Sequence, residues 1–124
     1  MPEKKTILYV DDEILNLELF KALFLGDYQV LIAESPLTAL KILDEEKVDL
    51  ILTDQKMPEM TGVEFLIEVY KKLPDEPPYR ILTTGYAEPD RINEAFDNYK
   101  LLKSIPKPWD IPTLKKTIGD VIGN

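Results

Sequence analysis

Three carboxylates and one ammonium stand where apolar runs end. Ile7-Leu8-Tyr9-Val10 stops at Asp11-Asp12-Glu13, and Leu50-Ile51-Leu52-Thr53 stops at Asp54. Leu101-Leu102 leads through Ser104-Ile105-Pro106 to Lys107-Pro108. Short apolar runs bounded by polar residues read as strands buried in a parallel sheet. Such sheets bind ligands beyond the carboxyl ends of their strands. Asp11, Asp12, Asp54 and Lys107 are therefore expected at one edge. Two carboxylates about 4 Å apart repel by about 4 kcal/mol at an effective dielectric near 20. Three of them raise one another's pKa or demand a cation. Oxygen ligands with open positions suit Mg2+ or Mn2+, not zinc. A hard metal beside a lysine and a hydroxyl makes a trap for a phosphoryl group, which an ionised Asp54 can attack in line.

Each of these residues also has a plainer reading. Adjacent Asp11 and Asp12 would point to opposite faces of a continuing strand, but both can turn toward one pocket where the strand bends into a helix. Asp12 can instead cap that helix. Asp54 precedes Gln55-Lys56-Met57-Pro58-Glu59-Met60-Thr61-Gly62, and Pro58 and Gly62 force a shaped loop able to aim a backbone carbonyl at the pocket. Thr84, followed by Gly85, offers a hydroxyl to an anion. Thr83 is the competing hydroxyl, and strand alternation lets only one of the two face the pocket. Lys107 is pushed out of the helical region by Pro108, and the Lys-Pro bond is open to either the trans or the cis form.

The elements that must carry these groups follow from periodicity. Strands are predicted at Thr6–Val10, Gln29–Ala33, Leu50–Thr53, Arg80–Thr84 and Leu101–Ile105. Helices are predicted at Ile14–Leu25, Pro36–Glu45, Val63–Leu73, Pro89–Tyr99 and Ile111–Ile122. Strict alternation of five such units means a parallel sheet with helices on both faces, an α/β fold. Gly26 falls where the first helix should stop, and Asp110 and Pro112 suit the start of the last. Gly119 inside that helix is a weak point, costing about 1 kcal/mol against alanine.

Composition narrows the chemistry further. The 124 residues suit one domain, expected to span residues 1–124 with no output domain in this chain. The absence of cysteine rules out disulfides and thiolate metal sites, and the absence of histidine rules out serine-histidine triads, histidine zinc sites and a phosphohistidine of its own. A formal net charge of −8 argues against direct binding to nucleic acid or an anionic membrane. With no room for a signal peptide before the first strand, a cytoplasmic location is expected.

Taken in order, Val10-Asp11-Asp12-Glu13, Asp54 with Met57-Pro58 and Thr61-Gly62, Thr84-Gly85-Tyr86-Ala87 and Lys107-Pro108-Trp109 make a specific set. With them the chain resembles a response-regulator receiver domain, the aspartate-phosphorylated module of two-component signalling, over its whole length. The resemblance implies a flavodoxin-like three-layer sandwich with strand order 2-1-3-4-5. It implies Asp54 as phosphoacceptor, Asp12 as direct Mg2+ ligand, Asp11 acting mainly through water, and the Lys56 backbone carbonyl completing the ligands. Thr84 would bond the phosphoryl oxygen and Lys107 would pair with it. The donor would be a histidine kinase or phosphotransfer protein. A downstream effector or separate output domain would read the last two helices and the last strand, a surface through which such domains also dimerise. The side chains of Lys56 and Tyr86 would flank the phosphoryl group and slow its hydrolysis.

One position departs from the pattern. The family usually places an aromatic residue three positions before the lysine, where this chain has Ser104. Coupling to the surface is then expected to be weakened, or rerouted through Tyr86 and the helix after it. Two other readings compete: a receiver-like docking module with an idle pocket, and a phosphatase of the haloacid-dehalogenase type. The latter needs its nucleophile after the first strand and a second aspartate two residues on, where this chain has Glu13 after Asp11 or Ile14 after Asp12.

Overall fold

In the computed structural model, residues 4–75, 77–85 and 103–123 are described. Among them five strands form one parallel sheet: β1 (Thr6–Val10), β2 (Gln29–Ala33), β3 (Leu50–Asp54), β4 (Tyr79–Thr84) and β5 (Lys103–Pro106), in the order β2-β1-β3-β4-β5. Helices α1 (Ile14–Phe24), α2 (Pro36–Glu45) and α3 (Gly62–Lys72) follow the first three strands, and a C-terminal helix spans Ile111–Ile122. The expected strand order and layering are thus observed. The predicted helix Pro89–Tyr99, Tyr86, and the start of the last predicted strand at Leu101-Leu102 lie outside the described residues.

Strand alternation divides the core in two. Leu8, Val10, Ile51 and Leu82 face α2 and α3, where they meet Ala39, Leu43, Phe65, Leu66 and Val69. Ile7, Tyr9, Leu50, Leu52, Ile81 and Ile105 face α1 and the C-terminal helix, meeting Leu17, Phe20, Phe24, Leu114 and Ile118. Every residue of β1 and β3 is buried, which explains why these strands read as unbroken apolar runs. Their burial is the main driving force holding both helical layers to the sheet.

The differences from the predicted boundaries are small and have local causes. Helix α3 begins at Gly62, one residue early, because Thr61 and Glu64 close a capping box around its first turn. It ends at Lys72, with Leu73 as the C-cap. Helix α1 ends at Phe24, Leu25 serves as its C-cap, and Gly26 lies just beyond as expected. β3 extends through Asp54 because that residue still pairs with Thr83. β4 starts at Tyr79, whose amide donates to Asp49 O at 3.0 Å. Asp12 does not cap α1: the N-cap is Glu13, with no side-chain capping bond. Asp110 does cap the C-terminal helix, accepting from Thr113 N at 3.3 Å.

Gly119 has open space around the position a β-carbon would occupy. Gly119→Ala should therefore stabilise the domain by up to about 1 kcal/mol, through lower backbone entropy in the unfolded chain. Urea unfolding of the two proteins checks this, and a lower midpoint for the alanine variant would refute it.

Candidate phosphoryl-acceptor site

The strand register brings the charged groups together. Val10 pairs with both Ala33 and Thr53, Asp54 pairs with Thr83, and Thr84 pairs with Pro106. The strands consequently end at one level, and the residues that follow share one edge. Asp11 is anchored there by its amide, which donates to Ala33 O at 3.2 Å. Lys107 is anchored by its amide, which donates to Thr84 O at 3.1 Å. The Lys107-Pro108 peptide bond is cis, one of the two forms left open by the sequence.

Carboxylate oxygens of Asp11, Asp12 and Asp54 lie within 4.8 Å of one another. Asp11 and Asp54 are buried, whereas Asp12 is exposed. Lys107 Nζ stands between the buried pair, 2.7 Å from Asp11 Oδ2 and 3.3 Å from Asp54 Oδ2. Lys107 balances one of the two buried charges, and the exposed Asp12 adds a third carboxylate beside them. An all-oxygen donor set of that charge fits a hard divalent cation such as Mg2+ or Mn2+.

The titrating groups respond to this crowding in different directions. Burial pushes the Asp54 carboxyl up, the Lys107 charge pulls it down and the Asp11 charge pushes it up again, leaving it above its ordinary value. Burial also pushes Asp11 up, but hydrogen bonds from Lys107, Tyr9 and the Glu13 amide prevail and hold it below its ordinary value. Lys107 is pulled down by burial, yet its bond to Asp11 and the charges of both aspartates carry it above its ordinary value.

The loop after β3 is rigidly built. Gln55, itself buried, accepts from Gly62 N through its carbonyl and from Val63 N through Oε1, both at 2.9 Å. Glu59 takes a positive φ of 74° within the loop. Gly62 is required by contact: a β-carbon there would lie 2.3 Å from Asp54 O. This loop carries Lys56, whose side chain is exposed. Thr84 sits buried at the pocket edge, while the Thr83 hydroxyl accepts from Trp109 Nε1 at 2.9 Å. Ser104 is exposed on β5, in register with Leu82.

Asp11, Asp12, Asp54 and Lys107 are therefore brought together as expected, and Tyr86 lies outside the described residues. Sequence reasoning passed over Tyr9, Asn16 and Gln55. Tyr9 Oη donates to Asp11 Oδ2 at 2.5 Å and Asn16 Nδ2 donates to the same oxygen at 3.1 Å. A signal for Tyr9 was present: it shares a strand face with Asp11, and a buried phenol needs a partner.

Comparison with known proteins agrees with this geometry. Residues 7–119 match the family of the response regulator receiver domain, and the chain belongs to that family. Receiver domains are the phosphorylation switches of two-component response regulators, signalling modules that bind Mg2+ at an acidic pocket. The chain is 35% identical over 117 residues to the hydrogenase transcriptional regulatory protein HoxA of Bradyrhizobium diazoefficiens, covering 94% of this chain and 24% of HoxA. It is 33% identical to the polar-differentiation response regulator DivK of Brucella ovis, covering 94% of this chain and 98% of DivK. The chain thus spans about a quarter of the length of HoxA and nearly all of DivK. A CheY-like receiver domain structure from Methanospirillum hungatei superposes with a TM-score of 0.87 at 29% identity, covering 95% of this chain and 93% of that one.

The raised pKa of Asp54 yields a stability prediction. A carboxyl whose folded pKa exceeds its unfolded value lowers stability once ionised. That cost is full above the folded pKa and fades as pH falls to the unfolded value near about 3.9. Without divalent cations, Asp54→Asn should therefore unfold at higher urea than wild type at neutral pH. The gap should narrow as pH falls through the folded pKa of Asp54. Urea midpoints at several pH values check this; equal midpoints at neutral pH would contradict it.

Proposed function

We propose that this chain is a phosphorylation-dependent switch whose phosphoacceptor is Asp54. The observation that carries this reading is Lys107 Nζ held between Asp11 and Asp54 at 2.7 and 3.3 Å, beside an exposed third carboxylate, Asp12. An ionised Asp54 oxygen forms a bond to phosphorus as the bond from phosphorus to the donor atom breaks, and the donor leaves with that electron pair. Lys107, already within reach of Asp54, pairs with the transferred group, and the Thr84 hydroxyl donates to one of its oxygens. Asp12, Asp54 and the Lys56 carbonyl would hold the cation, with Asp11 acting through water. The chemistry supplied there by Mg2+ or Mn2+ is neutralisation of the phosphoryl oxygens.

The donor in this reading is a histidine kinase or a phosphotransfer protein, since the chain has no histidine. Ile14, Leu15 and Leu19 of α1 are exposed on the helix that starts beside the pocket, offering a donor protein an apolar surface. Residues 1–124 act as one receiver unit in the cytoplasm. Among the described residues no helix is long and apolar enough to cross a membrane. Partners, or a second copy of the chain, would read the surface of β5, the C-terminal helix and the helix expected from the sequence over Pro89–Tyr99. Lys56 and Tyr86 slow hydrolysis of the aspartyl phosphate. Ser104, exposed and small, leaves that surface without the usual aromatic relay. The same feature favours the second reading, a docking module with an idle pocket.

Intact-mass spectrometry after incubation with acetyl phosphate and Mg2+ separates the two. A single phosphoryl adduct is expected in wild type, dependent on the cation and lost in Asp54→Asn. No adduct while Mg2+ still binds would sink the switch and favour the docking module.

A further inference from the structure

Asp11 is the most heavily hydrogen-bonded group in the pocket among the described residues. Its Oδ2 accepts from Tyr9 Oη at 2.5 Å, Lys107 Nζ at 2.7 Å and Asn16 Nδ2 at 3.1 Å, and its Oδ1 accepts from Glu13 N at 2.9 Å. Phosphoryl transfer uses Lys107 but assigns nothing to Tyr9. The Tyr9 ring is wholly buried, with centroids 4.7 Å from Phe20 and 5.5 Å from Trp109. Its hydroxyl is thus aimed at Asp11 by packing as well as by the bond itself.

We propose that Tyr9 is a positioning residue that sets the divalent-cation affinity of the pocket, its hydroxyl competing with the cation for the charge on Asp11. This rests on reading the acidic cluster as a cation site. A hydrogen bond to a carboxylate is strongest when the carboxylate holds its full charge. A nearby cation draws that charge away and weakens the bond. The Tyr9 bond therefore stabilises the cation-free pocket more than the filled one, and removing it should tighten cation binding. Loss of order or packing alone would have the opposite sign.

Tyr9→Phe keeps the ring and removes only the donor. Asn16→Ala removes another donor from the same oxygen, away from the buried rings; because Asn16 Nδ2 also donates to Glu13 Oε2 at 2.9 Å, it is compared with Glu13→Gln and with the double variant. All should be titrated with Mg2+ beside wild type and Asp12→Asn, by calorimetry and by the fluorescence of Trp109, the single tryptophan. Tyr9→Phe should bind about threefold to tenfold more tightly than wild type: a hydrogen bond to a charged group is worth about tenfold to a hundredfold in full, and the cation weakens it by about half rather than abolishing it. Asn16→Ala should shift the same way by less, and Asp12→Asn should lose binding. Unchanged or weaker binding in Tyr9→Phe overturns the inference; if that variant does not fold, the same result in Asn16→Ala overturns it. Wild type that binds saturably, with binding lost in Asp12→Asn, leaves the cation site standing whichever way Tyr9→Phe moves. Wild type without saturable binding overturns the cation site and this inference together.

Discussion

The pocket depends on one ammonium held between two buried carboxylates. Lys107 reaches Asp11 and Asp54 at once, and without it the two negative charges would share a poorly solvated edge, offset there by neutral hydrogen-bond donors such as Tyr9, Asn16 and the Glu13 and Gln55 amides. Its position is set by backbone as much as by charge, since its amide is bonded to Thr84 at the end of the neighbouring strand. Because one ammonium stands between two buried carboxylates with the exposed Asp12 beside them, Lys107 alone does not balance the charge of this acidic cluster. The proposed chemistry uses that imbalance: whatever enters must bring a cation, exchange an anion, or do both.

The hydrophobic layers make this arrangement affordable. Alternation along β1 sends Leu8 and Val10 to one helical layer and Ile7 and Tyr9 to the other. Both faces of the sheet are thereby sealed, and polar groups gather at its end, where the strands run out. Tyr9 belongs to both regions, with its ring in the aromatic cluster of Phe20 and Trp109 and its hydroxyl on Asp11. Trp109 connects the same cluster to β4 through its bond to Thr83. The Tyr9–Asp11 bond thus joins the charged pocket to the aromatic packing of Phe20 on α1 and Trp109 just before the C-terminal helix.

Much of this was readable in the sequence because the informative residues interrupt apolar runs. Asp11, Asp12, Asp54 and Lys107 announce themselves as charges where apolar runs stop, and strand ends in a parallel sheet meet at one edge. The strand order came from the family pattern and is matched by the pairing observed. Hydrogen-bond partners were harder to read. Tyr9 counts as apolar in any periodicity argument, Asn16 looks like an ordinary helix residue, and Gln55 stands in the shadow of Asp54. Their roles depend on where side-chain tips arrive, which strand and helix periods do not specify. Boundary errors of one residue trace to the capping box at Thr61 and to a ladder pairing at Asp54, both local geometries.

Gly62 packs so closely on the Asp54 carbonyl that even a methyl group has no room between them. Together with the two bonds received by Gln55, this welds the loop after β3 to the strand it leaves. A loop of that kind has already given up its conformational freedom when the domain folds. Under the proposed phosphorylation, the ends of this loop, at Gln55 and Gly62, would need no ordering. On this side, the speed of the proposed response would be set by encounter with the donor and by bond making, not by a slow search through backbone conformations.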